Sequence, residues 1–248
     1  VVAVSGGNHA QAVALAASTL GVDAVIAMPE NTPSAYLDAT RGYGAHVELM
    51  PNIAEAFKKA EELQAAGRTF VHPFDDDDVI AGQGTVGLEI LEDVPNVTDV
   101  ILSIGGGGLA AGVACAMKET NSAIRMWAVE TEGADAMAQA VAAGKPVELA
   151  AITSIAKTLG APFVTERTLT AIQRDFEEVL VIPDAEAVRE ILYIAERLKV
   201  ITEPAAAVTL AAAERLRDKF NSGNNVVLIL CGGNTSIKDA CGYLSLLE

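Results

Sequence analysis

Short apolar runs alternate with longer segments rich in Ala, Leu and Glu along the whole chain. The runs read VVAVS, DAVIAMP, AHVELMP, RTFVHP, VTDVILSI, RMWAVE, EVLVIP and NVVLILC. Continuous apolar strands that are separated by helices are typical of parallel sheets covered on both faces. The pattern therefore predicts a doubly wound α/β fold whose mostly parallel sheets lie in two lobes.

Two helix starts can be read from the residues themselves. Thr32 stands before Pro33, which is expected at the first helical position, and Asp184 stands before the helical segment AEAVREILYIAERL. The apolar residues of this second segment that are predicted to share one face are Val188, Ile191, Leu192 and Ala195.

The first four strand units, up to about Pro73, are expected to form a small α/β lobe of residues 1–74. Residues 75–248 then form a large lobe that carries the second glycine cluster described below. Four consecutive aspartates at residues 75–78 are predicted to be a solvated loop at the crossing point between the lobes.

Charge and hydropathy exclude several classes of partner. Acidic residues outnumber basic ones by 33 to 17, and a net charge of -16 repels nucleic-acid phosphates and anionic lipids. No apolar run approaches the roughly 20 residues that span a bilayer, and VVAVSGG lacks the basic region of a signal peptide. We therefore expect no nucleic-acid or membrane partner, a cytoplasmic location and reduced thiols at Cys115, Cys231 and Cys241.

Two glycine clusters directly follow predicted strands. They are SGGNHAQ at residues 5–11 and GGGGLAAG at residues 105–112. Backbone N–H groups at such a strand-to-helix turn, together with the helix dipole, bind small anions. Neither cluster has the form of a dinucleotide-binding or P-loop motif. The sequence therefore predicts a site for a phosphate or carboxylate on a ligand smaller than a nucleotide.

Each candidate residue has a structural alternative. Ser5, Asn8 and His9 are placed to hold a carboxylate, whereas Ser5 or Asn8 alone would serve as a helix cap. Four consecutive glycines cost entropy on ordering, which favours close approach of a ligand over a merely permissive turn. Cys231 follows the last strand, where ligands of open sheets collect, but a lone cysteine also serves packing. Glu203 before Pro204 equally favours a helix start.

Taken together, the motifs resemble the fold-type II pyridoxal phosphate enzymes, which have the tryptophan synthase β-like fold. The matching segments, in family order, are SGGNHAQ, VHPFDD, VIAGQGT, SIGGGGLAAG, AVETEGADAM, ITSIAKTLGAPF, ITEPAAAV and LILCGGN. They are distributed along nearly the whole chain, from residue 5 to residue 234. SIAKTLG and CGGN resemble the serine dehydratases, whereas VIAGQGT resembles threonine dehydratase and serine racemase. The resemblance therefore leaves open whether L-serine, L-threonine or another β-substituted amino acid is the substrate.

The resemblance implies a role for each candidate residue. It assigns the ring hydroxyl oxygen of the cofactor to Asn8, the pyridine nitrogen to Cys231, and a further cofactor contact to Glu203. The residues implied to hold the cofactor phosphate are Gly105, Gly106, Gly107, Gly108 and Leu109. Those in the loop implied to receive the substrate carboxylate are Ser5, Gly6, Asn8, His9 and Gln11.

The implied reaction is loss of the β-hydroxyl from L-serine or L-threonine, which gives a 2-oxo acid and ammonia. A thiol supplies no fixed negative charge to keep the pyridine nitrogen protonated, so the cofactor is a modest electron sink suited to β-elimination. The expected protein is an ammonia-lyase with pyridoxal 5'-phosphate as cofactor. The resemblance also implies a homodimer and is compatible with a monovalent cation held by backbone carbonyls.

Two departures from the family pattern shape this expectation. The family's Schiff-base lysine lies some tens of residues before the SGGNH loop, whereas here Ser5 is the fifth residue, so the expected segment is absent from this sequence. The lysines present, none of which stands in a motif like that of the family's Schiff-base lysine, are Lys58, Lys59, Lys118, Lys145, Lys157, Lys199, Lys219 and Lys238. We therefore expect these 248 residues alone to have little or no activity.

The second departure concerns racemases. The serine racemases that this chain resembles carry a serine where this sequence has Gly6, and glycine has no group to return a proton to the second face. This favours a dehydratase over a racemase-like enzyme. A cysteine synthase-like or threonine synthase-like enzyme and a non-catalytic protein that binds the cofactor or an amino acid are the remaining alternatives.

Overall fold

The computed structural model describes residues 1–247. They fold into two compact units, Val1–Val79 and a second unit that begins at Ile80. The lobe boundary expected from composition lies slightly earlier, after residue 74. Helices and strands are numbered below in chain order, with the 3-10 segments given by their residues alone.

The first unit is a parallel sheet with strand order β3-β2-β1-β4. Its strands are β1 (Val2–Val4), β2 (Val25–Pro29), β3 (His46–Met50) and β4 (Phe70–Val71). The helices that connect them are α1 (Asn8–Leu20), α2 (Ser34–Gly42) and α3 (Ile53–Ala65). Ile26 packs against α1 on one face of the sheet, and Ala27 packs against α3 on the other. Both faces are therefore covered, as the apolar runs predict.

The second unit contains a second parallel sheet, with strand order β7-β6-β5-β8. Its strands are β5 (Asp99–Ser103), β6 (Arg125–Thr131), β7 (Phe176–Ile182) and β8 (Val226–Leu228). Its helices are α5 (Gly108–Thr120), α6 (Ala136–Ala143), α7 (Glu166–Asp175), α8 (Asp184–Leu198), α9 (Pro204–Arg215) and α10 (Ile237–Gly242). Helix α4 (Asp77–Asp93) begins in the first unit and continues into the second. Three 3-10 segments are Lys157–Leu159, Arg217–Lys219 and Tyr243–Leu247.

Two parallel sheets with helical connections confirm the predicted α/β class. Each of the eight predicted apolar runs contains a strand, but the last strand is shorter than its run. It ends at Leu228, and the final sheet bond runs from the Ile229 N–H to the Ile101 carbonyl at 3.0 Å. The chain then turns away from the sheet, since the Gly232 carbonyl accepts a bond from the Glu203 N–H instead.

Both predicted helix starts are wrong by one residue. Helix α2 begins at Ser34 with Pro33 as its N-cap, because the Pro33 carbonyl accepts the first helical bonds, from the Tyr36 and Leu37 N–H groups. Helix α8 begins at Asp184 itself. The Asp184 carboxylate accepts bonds from the Ser154 hydroxyl at 2.6 Å and the Ile155 N–H at 2.9 Å. It therefore bonds to a distant loop rather than capping its own helix.

The predicted face of α8 and the predicted aspartate loop also need correction. In α8, Ile194 is buried with Val188 and Ile191, whereas Leu192 is 38% exposed.

Of the four aspartates, Asp77 and Asp78 form the first turn of α4, where acidic side chains interact favourably with the helix dipole. Asp76 accepts backbone N–H bonds from Asp78 and Val79, which is the function of an N-cap residue.

Helices α4 and α5 approach closely through glycines. A Cβ atom on Gly112 of α5 would overlap the Ile80 carbonyl oxygen and lie 2.7 Å from the Gly84 nitrogen of α4. A Cβ atom on Gly87 would lie 3.0 Å from the Val113 carbonyl oxygen. A Cβ atom on Gly84, the second glycine of the VIAGQGT segment, would likewise lie 3.1 Å from the Gly112 carbonyl oxygen, so Gly84 and Gly87 have a packing function in the second unit. Within residues 1–247, no helix has the length and apolar character that crossing a bilayer requires.

Candidate functional site

The glycine loop (residues 105–108) connects β5 to α5 at the carboxyl edge of the second sheet. Gly107 is the N-cap of α5 with φ of 96°, and no side chain caps the helix in the described part of the chain. The helical bonds start with the Ala111 N–H, which donates to the Gly107 carbonyl at 2.9 Å. The N–H groups of the preceding residues have no acceptor within the helix, and at its positive end they are suited to binding an anion.

Two of these glycines lie close to neighbouring segments that leave little room for a side chain. A Cβ atom on Gly105 would lie 3.2 Å from the Leu159 carbonyl oxygen. At Gly107, where φ is positive, a Cβ atom would lie 2.7 Å from the Cβ atom of fully buried Thr168. Packing therefore accounts for glycine at position 107, whereas a side chain at position 105 would require only a small shift of the Leu159 backbone. The loop is therefore held in its conformation by neighbouring segments.

Cys231 lies at the same edge of the second sheet, because β5 and β8 are adjacent parallel strands. Its sulfur is 3.4 Å from the Ser103 hydroxyl oxygen and 3.8 Å from the Ala205 carbonyl oxygen. Part of the residue is open to solvent. Even so, burial by the surrounding protein raises the pKa of Cys231, the Ser103 bond lowers it in part, and the Glu203 charge raises it. The group is therefore a neutral thiol at neutral pH.

Glu203 connects three segments of the second unit. Its side chain is buried, and its carboxylate accepts bonds from the Thr158 hydroxyl at 2.7 Å and the Asn234 N–H at 3.1 Å. It occupies the N-cap position before Pro204, but in the described residues its side chain makes no capping bond to α9. Helix α9 does start at Pro204 with Glu203 before it, as the helix-start alternative expects, and the Glu203 carboxylate also holds the CGGN segment (residues 231–234).

The glycine loop of the first unit holds the predicted carboxylate-binding residues. Ser5 accepts a bond from the Gly7 N–H at 3.0 Å. Gly7 is the N-cap of α1, and no side chain among residues 1–247 caps this helix. Asn8 is the first helical residue. Neither Ser5 nor Asn8 is therefore the N-cap residue of α1, and a helix start with a glycine N-cap is suited to an anion.

His9 and Gln11 differ in how their polar atoms are satisfied. The His9 Nε2 donates to the Val71 carbonyl at 3.0 Å. Burial lowers the pKa of His9, and the bond to Val71 raises it in part, so the ring is neutral. The buried side-chain nitrogen of Gln11 has no hydrogen-bond partner among the described residues. Such a donor is costly unless a ligand satisfies it, which supports a ligand near Gln11.

Gly6 has a neighbour that restricts its replacement. A Cβ atom at this position would lie 2.9 Å from the Thr32 hydroxyl oxygen. Thr32 is buried, with 8% of its surface exposed. Any side chain at position 6 therefore requires Thr32 to move.

Sequence reasoning missed three residues that the structure places beside predicted ones. Ser103 contacts Cys231, while Thr158 and Asn234 contact Glu203. All three lie in motifs that carry the resemblance, but no periodicity or spacing singles them out. Their partners lie 31 to 128 residues away in sequence, so only the folded chain identifies them.

The family of the chain follows from comparison with known proteins. Residues 1–232 match the model of the family described as pyridoxal-phosphate dependent enzyme. The chain therefore belongs to this family, which confirms the resemblance of its motifs. A match of this extent includes both glycine loops and Cys231.

Particular relatives are known within the family. A catabolic L-threonine dehydratase of Staphylococcus aureus is 39% identical over 248 residues, covering 98% of this chain and 72% of the relative. Maize serine racemase has a TM-score of 0.90 at 36% identity, covering 99% of this chain and 76% of that structure. Processed threonine deaminase isoform 2 of Solanum lycopersicum has a TM-score of 0.92 at 33% identity, covering 99% and 73%.

The residues present fit the family's cofactor. Its phosphate needs several N–H donors without a competing carboxylate, and α5 starts with such donors and no capping side chain in the described residues. Its pyridine nitrogen needs a hydrogen-bonding group, and Cys231 provides a neutral thiol at the same sheet edge. Both features belong to the second unit, and both agree with the chemistry of pyridoxal phosphate.

Proposed function

We propose that the protein is a pyridoxal 5'-phosphate dependent ammonia-lyase that converts L-serine or L-threonine to a 2-oxo acid and ammonia. The observation that carries this proposal is the neutral Cys231 thiol near the end of β8, adjacent to the strand that leads into the glycine loop. A neutral partner for the ring nitrogen favours β-elimination over reactions that need long-lived carbanions. The S. aureus relative is itself named a threonine dehydratase. A fungal L-serine ammonia-lyase from Rhizomucor miehei has a TM-score of 0.86 at 27% identity.

The proposal gives each candidate residue a function. N–H groups of residues 105–109 bind the phosphate, Cys231 donates its S–H to the ring nitrogen, and Glu203 holds the CGGN segment in place. In the first unit, Asn8 bonds the ring hydroxyl oxygen. The start of α1, with the residues Ser5, Gly6, Asn8, His9 and Gln11, binds the substrate carboxylate. The bound cofactor supplies the electron sink at the substrate α-carbon, which no side chain of this chain provides.

The neutral His9 ring affects specificity for the carboxylate. Since its Nε2 donates to the Val71 carbonyl, the ring is fixed in one tautomer and adds no positive charge. The N–H groups of α1 and the unsatisfied Gln11 nitrogen therefore supply the attraction for the carboxylate. In the active chimera described below, a Gln11→Leu change is expected to raise KM for L-serine with a smaller effect on kcat, measured by steady-state release of 2-oxo acid.

A racemase is less well supported. A serine at position 6 would bring its Cβ atom against the Thr32 hydroxyl. A non-catalytic protein that binds the cofactor is the second candidate, and no lysine within these 248 residues stands in a motif matching the family's Schiff-base lysine. We propose accordingly that the 248 residues alone turn over little or no substrate, while keeping their affinity for the cofactor.

The decisive experiment joins the N-terminal part of the S. aureus dehydratase, up to its SGGNH-like loop, to Val1 of this chain. The chimera should release 2-oxo acid from L-serine or L-threonine, whereas the 248-residue chain should not. Borohydride reduction followed by peptide mass mapping should place the cofactor on a lysine of the added part. A chimera that binds pyridoxal phosphate without producing 2-oxo acid from either amino acid would support the binding protein instead.

Further properties implied by the resemblance remain proposals. We propose a homodimer, a monovalent-cation requirement and a cytoplasmic location. Sedimentation of the chimera and its activity in potassium compared with tetramethylammonium salts test the first two. A substrate panel that includes O-acetylserine and O-phosphohomoserine separates a dehydratase from a cysteine synthase-like or threonine synthase-like enzyme.

A further inference from the structure

Ser103 is a polar residue at an apolar position of β5. Every residue of this strand is buried, as expected for a parallel strand covered on both faces. Alternate side chains point to the same face, so Ser103 shares a face with Ile101, which packs against Ala205 of α9. Only 4% of Ser103 is exposed. A hydroxyl in such a place destabilises the fold unless it has a hydrogen-bond partner.

The partner of the Ser103 hydroxyl is the Cys231 sulfur, 3.4 Å away and 128 residues further along the chain. The sulfur is also 3.8 Å from the Ala205 carbonyl oxygen, toward which the S–H is directed. With its single proton used there, the sulfur accepts from Ser103, and the Ser103 O–H is the donor. Ser103 thus holds the position of the sulfur by donating to it, and the S–H of Cys231 is left to donate to another acceptor.

Three backbone segments meet at this sulfur. Ser103 is the last residue of β5 and lies two residues before the glycine loop, Ala205 lies in the first turn of α9, and Cys231 begins the CGGN segment. Cys231 lies beyond the end of β8 and has lost the support of the sheet ladder. The Ser103 bond therefore replaces a strand bond in holding this residue beside the glycine loop.

We propose that Ser103 is a positioning residue that holds the Cys231 thiol so that its S–H can turn from the Ala205 carbonyl to the ring nitrogen of the bound cofactor. The turn of the Cys231 S–H toward the ring nitrogen rests on the proposed function. The contact between Ser103 and Cys231 does not. No bond is formed or broken in this step, because the thiol proton only exchanges one acceptor for another.

The first test measures the Cys231 thiol in the full chain without cofactor. Cys115→Ser and Cys241→Ser leave Cys231 as the only thiol, and its alkylation by iodoacetamide is followed against pH. The Ser103→Thr and Ser103→Val variants introduce side chains of nearly the same shape, of which only the first has a hydroxyl. Because the Ser103 bond lowers the pKa of Cys231, the valine variant should react about three- to ten-fold more slowly below the midpoint, and the threonine variant should match the parent.

A buried serine elsewhere provides the control. Ser154 is buried and bonds to Thr131 and Asp184, so Ser154→Ala changes a buried hydroxyl in another part of the second unit. It should leave the alkylation profile of Cys231 unchanged. Identical profiles for Ser103→Val and Ser103→Thr would overturn the proposal, since the hydroxyl would then have no contact with the sulfur.

The second test measures affinity for pyridoxal 5'-phosphate by cofactor fluorescence in the same variants. Ser103→Val should weaken binding about three- to ten-fold and Ser103→Thr should restore it. A shifted alkylation profile with equal cofactor affinity in both variants would overturn the positioning role. Failure of the unchanged chain to bind the cofactor would overturn the proposed function itself. The proposed bond from the Cys231 S–H to the ring nitrogen would be overturned with it. The alkylation test would still decide whether Ser103 holds the sulfur.

Discussion

Buried carboxylates of the second unit bond to backbone N–H groups of other segments. Glu203 holds Asn234, and Glu130 accepts bonds from Met137 at 3.0 Å and Ala138 at 2.7 Å at the start of α6. Glu130 is 1% exposed. Burial raises its pKa to about 8, the two backbone bonds lower it, and the charge of Asp135 raises it further. A residue of this kind makes stability depend on pH near neutrality.

The sign of this dependence follows from proton binding. Glu130 has a folded pKa of about 8 and an unfolded pKa of about 4.3, so the folded state holds the proton more strongly. Its contribution to stability is therefore complete below about pH 4 and is lost as the pH rises through about 8.

We expect the Glu130→Gln variant to lack this titration. The unfolding free energy of the parent minus that of the variant should fall between pH 5 and pH 9, by an amount on the order of 3 kcal/mol. Urea unfolding at several pH values measures it. Glu89→Gln changes an exposed glutamate of α4 and should show no such trend. A constant difference for Glu130→Gln would mean that this carboxyl titrates normally.

At the scale of elements, the packing of α4 on α5 depends on glycine. Gly112 has no room for a Cβ atom, whereas Gly82, in α4, has no heavy atom within 4 Å of its Cβ position. Both glycines lie in helix interiors, where alanine is favoured by its lower conformational entropy in the unfolded chain. The difference between the effects of alanine at these two positions on the unfolding free energy therefore measures the contribution of helix packing.

We predict opposite effects for the two alanine substitutions. Gly112→Ala should lower the unfolding free energy by about 1–3 kcal/mol, because α5 must move away from α4. Gly82→Ala should raise it by about 0.5–1 kcal/mol. Chemical denaturation of the two variants in parallel provides the measurement. Equal effects would show that the helices do not approach as closely as described.

At the same scale, the sequence predicts where strands occur better than where they end. Eight apolar runs give eight strands in the described chain, because a doubly covered parallel strand must be apolar along its length. Where a strand ends depends on the hydrogen-bond partners that other segments offer to its backbone. The run that continues to Cys231 makes its last sheet bond through the Ile229 N–H, and the Gly232 carbonyl then accepts from the Glu203 N–H. Thr32 is likewise drawn into a turn with Pro29 rather than capping α2.

For the whole molecule, a net charge of -16 over 248 residues produces repulsion that the folded state concentrates. Salt screens this repulsion, since the Debye length falls from about 30 Å at 0.01 M to about 10 Å at 0.1 M. The thermal midpoint should therefore rise when sodium chloride is raised from 0.01 to 0.3 M.

A less acidic variant tests the cause of this salt effect. Four exposed helical glutamates are replaced by glutamine at Glu61, Glu62, Glu89 and Glu92, which changes the net charge from -16 to -12. The midpoint of this variant should be higher at low salt and should respond less to added salt. If parent and variant respond alike, self-repulsion is not the source of the salt dependence.

The sequence by itself determined the α/β class, the presence of the strands, the two glycine-rich turns that follow them and the family of the chain. These features are local, since they depend on periodicity and on residues close together along the chain. Only the tertiary structure decided that Gly107 is enclosed by Thr168, that Glu203 bonds to Thr158 and Asn234, and that Ser103 meets Cys231. The partners in these contacts are 31 to 128 residues apart, and folding alone brings them within bonding distance.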